Sequence, residues 1–141
     1  MEEIVLTFDI DWAPDFVVDE ITDLVIASEV KSTWFVTHNS KILEKFRQHN
    51  DLFELGIHPN FHKFSSHGDN YDEVSLAINK IVPEAASMRT HGLYYSGEAF
   101  NRILENTKVC IDSSIFLPFN EGIRPINYYI GEKKLTRIPF F

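Results

Sequence analysis

The sequence predicts an α/β fold with a parallel sheet, on three observations. Short apolar runs of strand length alternate with longer segments whose apolar residues recur at helical spacing. The alternation repeats every roughly 20–30 residues, the period of strand–helix–strand units. No internal repeat, linker-like stretch or low-complexity segment interrupts it, which predicts a single domain over residues 1–141.

The first strand is read at 4–8, "IVLTF", a run suited to a strand covered on both faces. In "APDFVVDEITDLVIASEV" Asp15 is the expected N-cap. Val17, Val18, Ile21, Leu24 and Val25 mark the apolar stripe of a helix, with Asp19 and Glu20 in its early turns. "TWFV" (33–36) predicts the second strand, and Ser40 caps a short helix carrying Ile42, Leu43 and Phe46. "DLFELGI" (51–57) is the third strand, and Val74, Ala77, Ile78 and Ile81 form a helix that Pro83 stops. "SMR" (87–89) predicts a short fourth strand, Ser96 opens a helix bearing Phe100, Ile103 and Leu104, and "KVCID" (108–112) is the fifth strand, with Cys110 in the core. "NYYIGEKKLTRIPFF" then predicts a hairpin around Gly131 or a loop leading into a last strand.

Composition excludes several classes of function. The 44% hydrophobic and 24% charged content is that of an ordinary globular domain. A net charge of −8, with Lys and Arg scattered, argues against nucleic acid or an anionic membrane as partner. The lone Cys110 allows no internal disulfide and points to a reducing compartment. The opening "MEEIVLTFDIDW" has no basic n-region, and no apolar run approaches the ~18 residues of a membrane span. These features predict a cytoplasmic protein without membrane insertion, and they leave its oligomeric state open.

In parallel α/β folds, sites form where strands end and helices begin. Here strand one ends in Asp9 and Asp11, strand three in His58 with His62 beyond it, strand four in Arg89 and His91, and strand five in Asp112 followed by Ser113 and Ser114. Pro59 holds His58 extended and can begin a helical turn, so His58 leaves the strand end and His62 comes from the turn after it. Two imidazoles and one carboxylate, with a position left open, are the ligand set of a catalytic divalent metal. Asp9 and Asp11 have period-two spacing and, on a continuing strand, face the same way; one can bind metal while the other acts as a base. Each residue alone has a plainer reading: a capping turn for the aspartates, a surface loop for the histidine pair, an ion pair for Arg89, a turn for Asp112. Their convergence at one edge favours a site. Trp12 and Tyr94 are core or rim aromatics able to floor a sugar pocket, and His38, His49 and His67 read as surface residues.

The order "TFDID", "HPNFH", "RTH" and "IDSS" resembles the polysaccharide deacetylases of carbohydrate esterase family 4, the NodB type, and in particular the WbmS-like branch associated with lipopolysaccharide O-antigen biosynthesis. The resemblance spans about residues 4 to 118. It implies a distorted, incomplete (β/α) barrel of fewer than eight strands, a divalent metal, most often zinc, and a saccharide substrate. It implies removal of an N-acetyl group from an acetamido sugar or polysaccharide precursor. Carried over residue by residue, Asp9 is the base, His58 and His62 are ligands, and Arg89 orients the base, with His91 where the family has a proline. The second aspartate of the family motif falls on Ile10, so Asp11 is the substitute metal ligand, and the Asp9/Asp11 division of base and ligand stays open. The family protonates the leaving amine with a histidine from a late strand, yet no histidine follows His91 in this sequence. His91 is therefore the remaining catalytic acid; alternatively the chain is cut inside a strand at its apolar "TRIPFF" ending, or it is a metal- or sugar-binding remnant of the fold.

Overall fold

The structure, a computed structural model, describes residues 4–120 and 122–141. It contains β1 (Leu6–Asp9), α1 (Asp15–Ala27), β2 (Ser32–Val36), α2 (Ile42–Gln48), β3 (Phe53–Ile57), α3 (Tyr71–Ile81), β4 (Ser87–Met88), α4 (Gly97–Asn106), β5 (Ile111–Asp112), β6 (Ile126–Ile130) and β7 (Lys133–Arg137), with a 3₁₀ turn at His91–Leu93. The strands form one seven-stranded sheet in the order β1-β2-β3-β4-β5-β7-β6. Every pairing is parallel except β6 with β7. From β1 to β5 the order never reverses, which is the winding of a (β/α) barrel rather than of a doubly wound sheet. The sheet is open, with β1 and β6 at its edges, and its seven strands agree with the expectation of fewer than eight. The hairpin around Gly131 is formed, and Gly131 supplies the positive φ of 60° that its turn requires.

Burial explains which segments hold. All five residues of β2 are buried, as suits an interior parallel strand. Trp34 stacks between Phe8 and Phe46, with ring centroids 4.2 and 4.7 Å away. Val74 and Ile78 of α3 and Phe100, Ile103 and Leu104 of α4 close the core on the helical side. Each such side chain taken fully from water stabilises the fold by about 1.5–3 kcal/mol. Asn70 and Ser96 cap α3 and α4 by accepting hydrogen bonds from Glu73 N and Ala99 N. Among the described residues, no helix is long and apolar enough to cross a membrane.

Three local expectations are corrected. Asp15 is the first helical residue and not the N-cap; Pro14 holds that position, its carbonyl accepting from Val17 N and Val18 N, and Asp15 accepts instead from Ser40 Oγ. The stripe of α1 is half inside: Val18 and Val25 are buried while Val17, Ile21 and Leu24 stay exposed, on the helix that follows the edge strand β1. Cys110 is exposed. The fifth strand shortens to two residues, and the side chains before it alternate, Val109 inward and Cys110 outward, while the Cys110 backbone bonds Ala86 O and Thr136 N.

Candidate metal centre

The carboxyl ends of β1, β3, β4 and β5 converge, as the position of their polar residues predicts. β1 stops at Asp9, and a turn over residues 10–13 follows, closed by Ala13 N donating to Ile10 O at 2.9 Å. Asp11 and Trp12 carry φ of 45° and 59°, the pair of left-handed conformations of a type I′ turn. Aspartate tolerates this; for tryptophan it costs of order 1–2 kcal/mol. What holds Trp12 there is its N–H donating to Thr37 Oγ1 at 3.2 Å and its ring lying edge-on to His91 at 5.1 Å. A turn, and not strand periodicity, therefore sets the direction of Asp11.

His58 leaves β3 buried, with its N–H on Val36 O. His58 Nε2 lies 3.1 Å from Asp11 Oδ1, and His91 Nδ1 lies 2.9 Å from the same oxygen. One nitrogen or carboxylate oxygen from each of Asp11, His58 and His91 falls within 4.8 Å of the other two. Ligands on a tetrahedral ion with bonds of about 2.0–2.1 Å stand roughly 3.3 Å apart, so small side-chain shifts suffice to admit one. Two further observations fit a divalent ion. Burial lowers the His58 pKa, outweighing the pull of the Asp9 and Asp11 carboxylates, and so keeps the neutral imidazole that a metal requires. His58 Nδ1 is also buried without a hydrogen-bond partner among the described residues, 4.0 Å from Asp9 Oδ1.

Asp9 is held by Arg89, whose Nη1 donates to Asp9 Oδ1 at 3.0 Å. The guanidinium is 4% exposed and bonded through all three nitrogens: besides Nη1, Nε donates to Ser113 O, and Nη2 to Thr7 Oγ1 and Ser113 Oγ, each at 3.0 Å. Phe35 and Phe140 cover it, with ring centroids 4.6 and 4.1 Å from its central carbon. Gly56 makes room for this arrangement, since a Cβ there would stand 2.6 Å from Phe35 Cδ1 and 2.7 Å from Ser87 Oγ.

His62, expected as a ligand, lies outside the three-residue cluster. It is exposed, its ring centroid 6.0 Å from that of His91 and its Nε2 2.8 Å from where a Cβ on Gly92 would sit. The cluster takes His91 in its place, the residue expected as an acid. His67 departs further from expectation, being 7% exposed. Its Nδ1 accepts from Asn60 N at 3.0 Å, which leaves Nε2 to donate to Thr37 O at 2.5 Å. Asn60 Oδ1 in turn accepts from His62 N. These bonds tie the loop after β3 to the loop after β2, and the bond from Trp12 N to Thr37 Oγ1 adds the loop after β1. Nothing in the local pattern marks His67, since it acts through a backbone carbonyl 30 residues away in the chain. Asp112 is buried in a structural network: Oδ1 accepts from Ser114 N, and Oδ2 from Arg137 Nε and Tyr128 OH.

The model of the WbmS-like family, described as polysaccharide deacetylases, matches residues 6–141. The crystal structure of WbmS from Bordetella bronchiseptica, a candidate polysaccharide deacetylase involved in O-antigen biosynthesis, superposes with a TM-score of 0.85 at 35% identity, covering 97% of this chain and 57% of that one. The chain thus spans little more than half the length of that relative. The Xyl-CE4 domain of a multidomain xylanase from the hindgut metagenome of Trinervitermes trinervoides (TM-score 0.51, 18% identity, 86% of this chain and 62% of that one) shares the fold. So does a family 4 acetyl xylan esterase from Clostridium thermocellum in complex with a cobalt ion (TM-score 0.52, 19% identity, 82% and 60%). No curated protein matches the chain. With the family model covering all but the first five residues, the chain belongs to the WbmS-like polysaccharide deacetylase family.

Proposed function

We propose that the protein is a metal-dependent hydrolase that removes the N-acetyl group from an acetamido sugar or saccharide precursor. The observation that carries this reading is the Asp11–His58–His91 cluster with the Arg89-held carboxylate of Asp9 beside it. Asp11, His58 and His91 would hold the ion; zinc suits two imidazoles and a carboxylate. Such an ion supplies Lewis-acid chemistry to a carbonyl and a water.

This chain's own residues supply the proton transfers. Asp9 is the base that takes the proton of the attacking water, and Arg89 is its positioning residue, fixing the carboxylate through Nη1. The new bond joins water oxygen to the acyl carbon, the C–N bond breaks, and the leaving amine needs one proton. His91 Nδ1 faces Asp11, so its role passes from acid to ligand. The exposed His62, next to it, becomes the proton donor to the amine.

The test is metal content after chelator-free purification and zinc or cobalt titration, together with acetate release from acetamido sugars. Asp11→Ala, His58→Ala and His91→Ala lose metal. His62→Ala keeps it but loses about 10²–10⁴-fold in turnover. Loss of metal in His62→Ala with retention in His91→Ala restores Asp11, His58 and His62 as the ligand set. Metal uptake without acetate from any acetamido sugar favours a binding remnant over an enzyme.

A further inference from the structure

The carboxyl end of β2 gives no side chain to the Asp11–His58–His91 cluster, yet three neighbouring segments are fastened to it. Val36 O accepts from His58 N at 2.8 Å, where His58 leaves β3. One residue on, Thr37 is fully buried, and loops use both of its oxygens. Oγ1 accepts from Trp12 N at 3.2 Å, and the carbonyl accepts from His67 Nε2 at 2.5 Å.

Thr37 lies past the ladders of the sheet. Pairing with β1 ends at Phe35 opposite Asp9, and pairing with β3 ends at Val36 opposite Ile57. His67, not a strand, holds the Thr37 carbonyl. Burial lowers the His67 pKa, so its ring stays neutral, with Nδ1 accepting from Asn60 N and Nε2 left as the donor. The Thr37 hydroxyl, 2.9 Å from His38 Nδ1, has one proton to donate there and lone pairs left for Trp12 N.

The need for this anchor comes from Trp12. Its φ of 59° is a conformation that a bulky residue keeps only when its surroundings impose it. The same turn brings Asp11 Oδ1 to 3.1 Å from His58 Nε2 and 2.9 Å from His91 Nδ1. The Trp12 ring also stands between two imidazoles, 5.9 Å from His67 and 5.1 Å from His91. Releasing the turn would withdraw a carboxylate oxygen from the cluster and a ring contact from His91.

We infer that Thr37 and His67 are positioning residues for the metal centre: His67 fixes the Thr37 carbonyl, Thr37 Oγ1 fixes Trp12, and the turn so held aims Asp11. The inference rests on the reading of Asp11, His58 and His91 as the ligand set. It assigns to a buried histidine outside that set a part in metal affinity, exerted through a hydroxyl and a backbone turn.

Zinc titration of the full chain and the visible absorption of its cobalt form test this, with circular dichroism as the check on folding. Thr37→Val is close in shape but lacks the acceptor; it weakens zinc binding about 10–100-fold, the usual effect of losing a group that orients a metal ligand, and alters the cobalt spectrum. Thr37→Ser restores both. His67→Gln keeps a donor where Nε2 lies and binds zinc like the wild type. His67→Asn keeps only an acceptor for Asn60 N and weakens zinc binding as Thr37→Val does. In Trp12→Gly, where glycine adopts the turn unaided, Thr37→Val adds no further loss. Wild-type affinity in Thr37→Val, equal impairment of Thr37→Ser, a further loss in the Trp12→Gly background, or zinc binding by His67→Asn as tight as by His67→Gln overturns the inference and leaves the ligand set standing. If Thr37→Val does not fold, the two His67 variants decide alone. No zinc uptake by the wild type overturns both the inference and the metal-dependent reading.

Discussion

Two arginine–aspartate pairs lie at the carboxyl ends of this sheet, and they are built to opposite ends. Arg137 of β7 donates Nε to Asp112 Oδ2 at 2.7 Å, and Asp112 is fully buried. Both of its oxygens are occupied, one by Ser114 N and the other by Arg137 and Tyr128 OH. Burial, together with the Asp112 charge, raises the Tyr128 pKa, so that hydroxyl keeps its proton and its donor role. Arg89 donates Nη1 to Asp9 Oδ1 at 3.0 Å, but Asp9 keeps 29% of its side chain open and accepts no other hydrogen bond among the described residues. In the first pair the carboxylate is sealed; in the second the arginine is. A buried ion pair is structural when both carboxylate oxygens are occupied. It becomes a candidate base when the cation is locked and the anion is left free to accept a proton.

The largest expected effect comes from stranding the sealed carboxylate. Arg137→Ala leaves Asp112 buried without its cation and should cost about 3–5 kcal/mol, read as a fall in the urea midpoint. If Asp9→Asn costs as much, the contrast between the pairs is wrong. Asp9→Asn keeps a side-chain oxygen for Arg89 Nη1, so it should cost less stability than Arg137→Ala and leave metal content unchanged, while acetate release falls by about 10²–10⁴-fold. Gly56→Ala sharpens the comparison without touching either pair. It displaces the Phe35 ring that covers Arg89, at a cost of about 1–3 kcal/mol, and should lower turnover with metal still bound.

The smallest test concerns the loop beside the open pair. Burial lowers the His67 pKa below its ordinary value of 6.5. The unfolded chain then binds more protons than the folded one below that pH, so stability is complete above about 6.5 and declines as pH falls. Unfolding free energies at pH 7 and pH 5 measure that slope, and His67→Gln should flatten it in part, with His58 contributing the same sign.

The sheet was legible because parallel interior strands are written locally: Thr33 to Val36 and Leu55 to Ile57 read as continuous runs, and helix caps such as Ser96 announce themselves. The placement of Asp9, Asp11, His58, Arg89 and His91 at one edge followed from the same periodicity. What did not follow was decided by distance in space. That His91, rather than His62, gathers with Asp11 and His58 depends on a left-handed turn at Asp11 and on a 3₁₀ turn after β4 that swings Nδ1 toward it. The burial of His67 depends on Thr37 O, and the exposure of Cys110 on β5 shrinking to two residues. Strand and helix periods carry no information about such loop-to-loop contacts.

The Phe140 ring over Arg89 also carries a consequence for the order in which the molecule matures. Ribosomes deliver residues 11, 58 and 91 well before residue 140, so a nascent chain can gather the three cluster residues while the clamp on Asp9 still lacks its upper lid. Phe140 takes its place only when its N–H reaches Ile115 O and its carbonyl accepts from Leu117 N. Maturation is therefore expected in two stages, a cluster that forms early and an Asp9 carboxylate that is locked late. A stalled or clipped chain ending short of that ring would carry the cluster with a loosened Asp9.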